Sequence, residues 1–371
     1  MKATVNRKEL LSALAKVGPA VPRKATLPII TSVLVEAGCG KVKITASNLE
    51  QALITSLDAE VDAKGSVCTY PKLLADALKA LKCEKVTLKT NEVLLKTEGT
   101  DKLIICTESG KTIITGFDPA DFPPVPVVKT KPVAIEGLVH ALGMVSDCMA
   151  VDDCRPVLHG VHLCQVSRRR TEVVAADGFR LAIHAVKARE KLASCMLPSE
   201  AVLITCKLKS EVSSIAVEVR EDGAGTAMLD MGAVTLVTQL ISGTYPDYSK
   251  LVPKREGAKR MTVDVAELQQ ALQSVAVIKP VSDIVRLASK GKKLTLSTRN
   301  DDDVSTATIV ASGSIKIAMN YIYLRDILKH FQGKVTLYTH EVGSPILISR
   351  DDFTYMVMPM FVQWGDKPVE A

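Results

Sequence analysis

At 371 residues with 47% hydrophobic side chains, the chain is too long for one ordinary domain and carries apolar material for several cores. Its formal charge of +6 permits a polyanionic partner, and aromatics at 4% argue against a base-stacking platform for single strands. No apolar run reaches the roughly 18 to 20 residues of a membrane span, and Met1 to Lys8 lacks the apolar stretch of a secretion signal, so a cytoplasmic protein with no membrane partner is expected. The nine cysteines include no CxxC pair, and Cys106, Cys164 and Cys206 stand inside apolar runs, which reads as reduced, structural thiols.

In chain order, the first helix is expected where Leu10, Ala13, Leu14 and Val17 stand at i, i+3, i+4 and i+7. Val42 to Ala46 reads as a strand that runs into a turn at Asn48. Pro71 opens a second helix striped by Leu74, Ala77, Leu78 and Leu81, and Lys85 to Lys89 follows as an alternating strand. Phe122-Pro123-Pro124-Val125-Pro126 then breaks the pattern. A third helix carries Leu138, Ala141, Leu142 and Val145, followed by a strand over Val173 to Ala176 and a turn at Asp177-Gly178. After Pro198 and Ser199, the stripe Ala201, Ile204, Thr205 and Leu208 suggests a fourth helix, although Val202 to Cys206 equally fits a strand, and Ile215 to Val219 alternates. A second break runs from Tyr245-Pro246 to Pro253. Leu268, Ala271, Leu272 and Val275 stripe a fifth helix, Leu294 to Thr298 reads as a strand ending at Asn300-Asp301, and Asn320 leads into a sixth helix with Leu324, Ile327, Leu328 and Phe331 before the strand Lys334 to Tyr338.

Both the order of elements and their spacing recur, with the first-helix stripes 128 and 130 residues apart. The sequence therefore predicts an α+β fold of three similar domains, 1–126, 127–254 and 255–371, each with two helices and strands. Unpaired edge strands on such units invite pairing with the next unit, and repeated head-to-tail pairing closes into a ring or grows without limit.

The chain resembles the bacterial DNA polymerase III beta subunit family, the sliding clamps, along nearly its full length. The resemblance is carried by Thr26-Leu27-Pro28-Ile29-Ile30, Arg155-Pro156-Val157-Leu158, Ala176-Asp177-Gly178-Phe179-Arg180-Leu181-Ala182, Gly243-Thr244-Tyr245-Pro246-Asp247-Tyr248 and Tyr355-Met356-Val357-Met358-Pro359-Met360. It implies a homodimer of three-domain crescents with helices facing a central hole, a ring that holds polymerase, clamp loader and other clamp-binding-motif proteins on double-stranded DNA. It implies no catalysis, cofactor or metal. Basic side chains on or beside the inner helices, Arg7, Lys8, Lys16, Lys24, Lys72, Lys79, Lys82, Lys207, Lys209 and Lys259, would meet phosphates without reading bases. By position, the partner-peptide cleft would comprise Leu158, Ala176, Gly178, Phe179, Arg180, Leu181, Pro246, Leu251, Met356, Met358, Pro359 and Met360, where methionines beside proline make an adaptable apolar groove.

The sequence departs from the family in three places. After Met360 it continues through Phe361 and Val362 into an extension over 363–371 that carries its only tryptophan, Trp364; it is basic where the family is generally acidic; and Ser167-Arg168-Arg169-Arg170 makes an expected hairpin tip strongly positive. Arg168, Arg169 and Arg170 are of a residue type that reads base edges, so the alternative is a clamp-fold paralogue acting as a site-specific DNA-binding regulator of transcription. For an enzyme there is little material. His159 and His162, three apart in an expected strand, face opposite ways, Asp301-Asp302-Asp303 reads as a solvated turn, and no phosphate loop or nucleophile elbow is present.

Overall fold

The computed structural model describes residues 1–90, 102–108, 110–151, 155–221, 224–341 and 343–363. Six α-helices occupy the expected places among them: α1 (Arg7–Val17), α2 (Pro71–Ala80), α3 (Leu138–Val145), α4 (Ser199–Leu208), α5 (Val265–Val275) and α6 (Tyr321–Leu328). The stripes of α1, α3 and α5 are interior, none of their twelve side chains being more than 4% exposed. Local chemistry starts the helices. Asn6, Asp264 and Asn320 each accept hydrogen bonds from two amides of the first turn of α1, α5 and α6, and Glu9 and Glu267 stand in the first turns of α1 and α5. Residues 202–206, which also fitted a strand, are helical. The Pro198 cap sets the entry, Ala201, Val202, Ile204 and Thr205 form the buried face, and the Thr205 hydroxyl donates to the Ala201 carbonyl 2.8 Å away. No helix is long and apolar enough to cross a membrane among the described residues.

Among the described residues each third repeats one order: strand, helix, four strands, helix, three strands, with one additional short strand, Glu60–Ala63, in the first third. The chain divides into two compact units, 1–139 with 187–243 and 140–186 with 244–371.

In the first unit, strand Lys2–Asn6 pairs with Lys85–Thr90, and Lys102–Thr107 links the latter to Gly110–Phe117. A second run passes from Gly65–Thr69 through Val33–Gly38 and Lys41–Ser47 to Gln51–Asp58. It continues without a break into the middle third: Gln51–Asp58 pairs antiparallel with Val234–Gln239, then Gly225–Asp230 and Ser214–Val219. In the second unit, Arg180 to His184 pair antiparallel with Phe353–Val357, beyond which lie Ile346–Arg350, Lys334–Thr339 and Lys259–Asp264. A further run places Ile284–Lys290 between Lys293–Arg299 and Lys316–Asn320, with Val304–Gly313 outside Lys293–Arg299.

The junction rule is the same in both units, since the fourth strand of one third pairs with the last strand of the next. Registers confirm the equivalence. Asn48, Asp177 and Asn300 each close a turn by accepting the amides two and three residues on, so Gln51, Arg180 and Asp303 are equivalent positions.

The middle motif Tyr245-Pro246-Asp247-Tyr248 is fixed by packing. The Tyr245 ring stacks on His162 with centroids 4.6 Å apart, and the Tyr248 hydroxyl donates to Glu172 Oε2 at 2.7 Å. His162 lies in strand Gly160–Ser167, but His159 precedes it as the residue closing the Pro156–Leu158 turn, so strand alternation does not relate the two. Burial lowers the His162 pKa to about 4. The folded protein thus keeps this imidazole neutral where the unfolded chain, with its pKa near 6.5, takes up a proton. Stability is full above about pH 6.5 and falls by on the order of 2–3 kcal/mol as pH drops toward 4. Urea midpoints at about pH 7.5 and pH 4.5 should show that much smaller a drop in His162→Phe, which keeps a ring on Tyr245; equal drops would rule His162 out as the cause.

Candidate functional site

In the second unit, an apolar cavity of about 430 Å³ is lined by Phe179, Asn320, Tyr323 and the chain from Met358 to Phe361. Phe179 and Met358 stand next to the strand pair formed by Arg180 to His184 and Phe353–Val357, which brings residues some 175 positions apart in sequence side by side.

The Ala176 to Ala182 motif builds one wall. Asp177 Oδ1 accepts the Phe179 and Arg180 amides, each at 2.9 Å, and its Oδ2 accepts Arg180 Nε at 2.8 Å. Gly178 has φ +91°, a backbone conformation that calls for glycine, and the mobile end of the Arg155 side chain lies against it. The turn pushes the Phe179 ring out, 60% exposed, while the Phe179 carbonyl accepts the Met358 amide at 2.8 Å. Arg180 points inward. Its guanidinium lies over the Tyr323 ring, 4.3 Å from the centroid, and faces Asp326 at 3.9 Å. Asp326 also receives Arg325 and Lys329. Tyr323, on α6, is held from beneath because Tyr355 donates its hydroxyl to the Tyr323 carbonyl at 3.3 Å. The result is a semi-exposed apolar trough with aromatic walls and a methionine lip, suited to side chains of an extended peptide.

Of the residues expected in a cleft, Phe179, Met358, Pro359 and Met360 line the cavity, and Arg180 supports it from behind. Ala176 ends strand Arg170–Ala176 and Gly178 lies in the turn after it, and Pro246 and Leu251 are exposed on the following linker. Leu158, Leu181 and Met356 are interior at 6%, 2% and 5% exposure; Leu181 and Met356 are cross-strand partners in the junction core, because strand alternation turns them away from the surface. Asn320, Tyr323 and Phe361 also line the cavity, although the sequence does not assign them to the cleft. Asn320 carried only a helix-cap signal, and nothing local ties α6 to Phe179. Trp364 and the rest of 364–371 lie outside the described residues.

The basic residues divide as well. Lys8, Lys72, Lys79 and Lys207 are exposed on helices, Lys79 within 3.3 Å of Asp76. Lys16 is half-buried on α1, Lys24 and Lys82 sit in loops, Lys209 caps α4 with φ 53°, and Lys259 begins a strand. Arg7 serves the fold instead. Its Nε donates to the Cys83 carbonyl at 2.8 Å and its Nη1 to the Leu78 carbonyl at 3.1 Å, tying the start of α1 to the end of α2. Arg168 and Arg169 form the exposed turn between strands Gly160–Ser167 and Arg170–Ala176, as expected of a hairpin tip, whereas Arg170 is paired with Asp352 at 3.5 Å. The described cysteines are free thiols, with Cys39 exposed on a turn rather than packed. No group of three His, Cys, Asp or Glu among the described residues is placed to hold a metal ion.

Comparison with known proteins agrees with this architecture third by third. Models of the DNA polymerase III beta subunit N-terminal, central and C-terminal domains match residues 1–126, 133–247 and 249–361. Beta sliding clamps of Synechocystis sp. and Synechococcus elongatus are 28% and 26% identical, each alignment covering 97% of this chain and 99% of the relative. Among solved structures, the DnaN sliding clamp of Bartonella birtlesii superposes with a TM-score of 0.86 at 22% identity, over 98% of this chain and 100% of that one. The DNA polymerase III subunit beta of Pseudomonas aeruginosa gives 0.87 at 23%, with the same coverage. The chain belongs to the DNA polymerase III beta subunit family, the sliding clamps of DNA replication.

Proposed function

We propose that two copies of the chain close head to tail into a ring around duplex DNA and act as a processivity factor, holding a polymerase and other partners through the apolar groove. The ring performs no chemistry; topology and many weak phosphate contacts keep it in place.

One observation carries this reading. At the first junction Ala52 faces Val237, and at the second the equivalent Leu181 faces Met356; all four are buried at 5% exposure or less. Helix starts and the bonds Ile241 N to Met196 O and Met360 N to Ala318 O, set against the pair Cys68 and Phe117, make Ile113 the equivalent of Val237 and Met356. The turn at Asn300 likewise makes Val304 the equivalent of Ala52 and Leu181. Yet Val304 is 58% and Ile113 43% exposed. Among the described residues, strand Val304–Gly313 pairs only with Lys293–Arg299 and, through its last residues, with Lys259–Asp264. A third junction between copies would bury both, and the two junctions of a head-to-tail dimer leave no open edge.

The exposed lysines fit contacts to phosphates. Reversing Lys72, Lys79 and Lys82 to Glu should weaken binding to every duplex alike and flatten the salt dependence by about 0.9 per lost phosphate contact. The protein, once loaded, should stay on a closed circle and leave when the circle is cut. Retention that depends on base sequence rather than on circularity would overturn the processivity reading; Arg168, Arg169 and Arg170 are all exposed at the tip, and of these Arg170 is paired with Asp352.

A further inference from the structure

Three large apolar side chains meet water at the groove: Phe179 is 60%, Met358 41% and Phe361 90% exposed. All three line the same cavity of about 430 Å³, and apolar surface gathered at one place marks a site that something covers. The other lining residues, Asn320, Tyr323, Pro359 and Met360, carry no charge, so an aromatic side chain buried there desolvates no ion.

The chain that forms the lip is held beside the groove as it leaves. The Met360 amide donates to the Ala318 carbonyl at 2.8 Å, Ala318 stands opposite Arg286, and Arg286 Nη2 donates to the Gln363 carbonyl at 3.3 Å. The residue after Gln363 is the only tryptophan of the chain, Trp364, and the turn-forming pair Gly365-Asp366 follows it. The match to the family's C-terminal domain stops at Phe361, so the extension is an addition of this chain to the shared fold.

We propose that Trp364 occupies the groove of its own chain and competes there with partner peptides, so that the extension over 364–371 controls access to the site; the proposal rests on the groove being a peptide site. An indole suits this surface, because it packs against the Phe179 and Tyr323 rings and the methionine lip and has a single N–H to satisfy. Trp364 lies three residues beyond Phe361, a span of up to about 10 Å, which brings it back across the rim. A tethered side chain acts at an effective concentration on the order of millimolar, so weak intrinsic affinity is enough to hold it. Filling the groove about nine-tenths of the time raises the apparent Kd of a partner peptide about tenfold.

The test titrates a synthetic peptide, a Leu-Phe pair between uncharged polar residues, calorimetrically into three proteins. These are the full chain, the chain ending at Gln363, which keeps the Arg286 contact, and the full chain with Trp364→Ser. The peptide should bind both altered proteins about tenfold more tightly than the full chain. Because Trp364 is the only tryptophan, the fluorescence of the full chain reports on it directly: emission should move to longer wavelength as peptide is added and saturate together with the heat. Equal affinities for the full chain and Trp364→Ser, or tryptophan emission that the peptide leaves unchanged, overturn Trp364 as the occupant and leave the groove reading standing. Weaker binding after truncation makes the extension part of the partner site and overturns the proposal too. Failure of all three proteins to bind overturns the groove reading, and this proposal with it.

Discussion

Val304→Asp should convert a dimer into a monomer while leaving the fold intact. The side chain is 58% exposed in the single chain, so a carboxylate there remains solvated and stability should change by less than about 0.5 kcal/mol. In the closed ring the same position takes the place of Ala52 and Leu181, both 2% exposed, opposite an equivalent of Val237 or Met356. An unpaired carboxylate desolvated against Ile113 costs several kcal/mol per junction, and each 1.4 kcal/mol is tenfold, so association should weaken by roughly a hundredfold or more. Sedimentation should find twice the 39.9 kDa chain mass for wild-type protein and the single-chain mass for the variant at micromolar concentration. Ile113→Lys alone should behave likewise. Because Val304 of one copy would face Ile113 of the next, the chain carrying Val304→Asp together with Ile113→Lys should recover part of the association. A Val304→Asp protein that remains dimeric would show that copies do not pair in this register.

Arg180→Met is expected to lose about 2–4 kcal/mol of stability and most of the affinity for an apolar peptide. Arg180, Asp177 and Asp326 are only 12–15% exposed at their side chains, and removing one member of a buried charged set leaves its partners uncompensated. Asp326 keeps Arg325 and Lys329, so the larger share of the loss falls on Asp177, which loses its only ion pair among the described residues, and on the turn it closes. Arg180→Lys keeps a charge for Asp177 but gives up the planar face over Tyr323. It should therefore cost less stability than affinity. Urea midpoints and peptide titration of both variants separate the two effects; a Met variant within about 0.5 kcal/mol of wild type in stability would mean that the ion pairs contribute nothing net.

The sequence by itself determined the threefold repeat, the six helices and the α+β class. Those features are local: Leu10, Ala13, Leu14 and Val17 need only 3.6-residue periodicity to specify a buried face, and Asn48, Asp177 and Asn300 close their turns with amides two and three residues away. The middle second helix was ambiguous because Val202 to Cys206 satisfies strand and helix patterns alike. The Arg168-Arg169 tip was legible because a charged pair between alternating runs has few other places to go.

Tertiary structure alone decided which of those residues do what. Arg7 and Arg170 look like any surface cation until Leu78, Cys83 and Asp352 arrive from elsewhere in the chain. Leu181 and Met356 turned out to be junction core, and Asn320, Tyr323 and Phe361 groove wall, because the pairing of Arg180 to His184 with Phe353–Val357 fixes inward and outward alternation across some 175 residues. The same pairing rule, applied where the strands at Val304 and Ile113 have a neighbour on one side only among the described residues, is what supports the proposed closing junction. Side-chain periodicity says that a strand has two faces; only the strand beside it determines which face is buried.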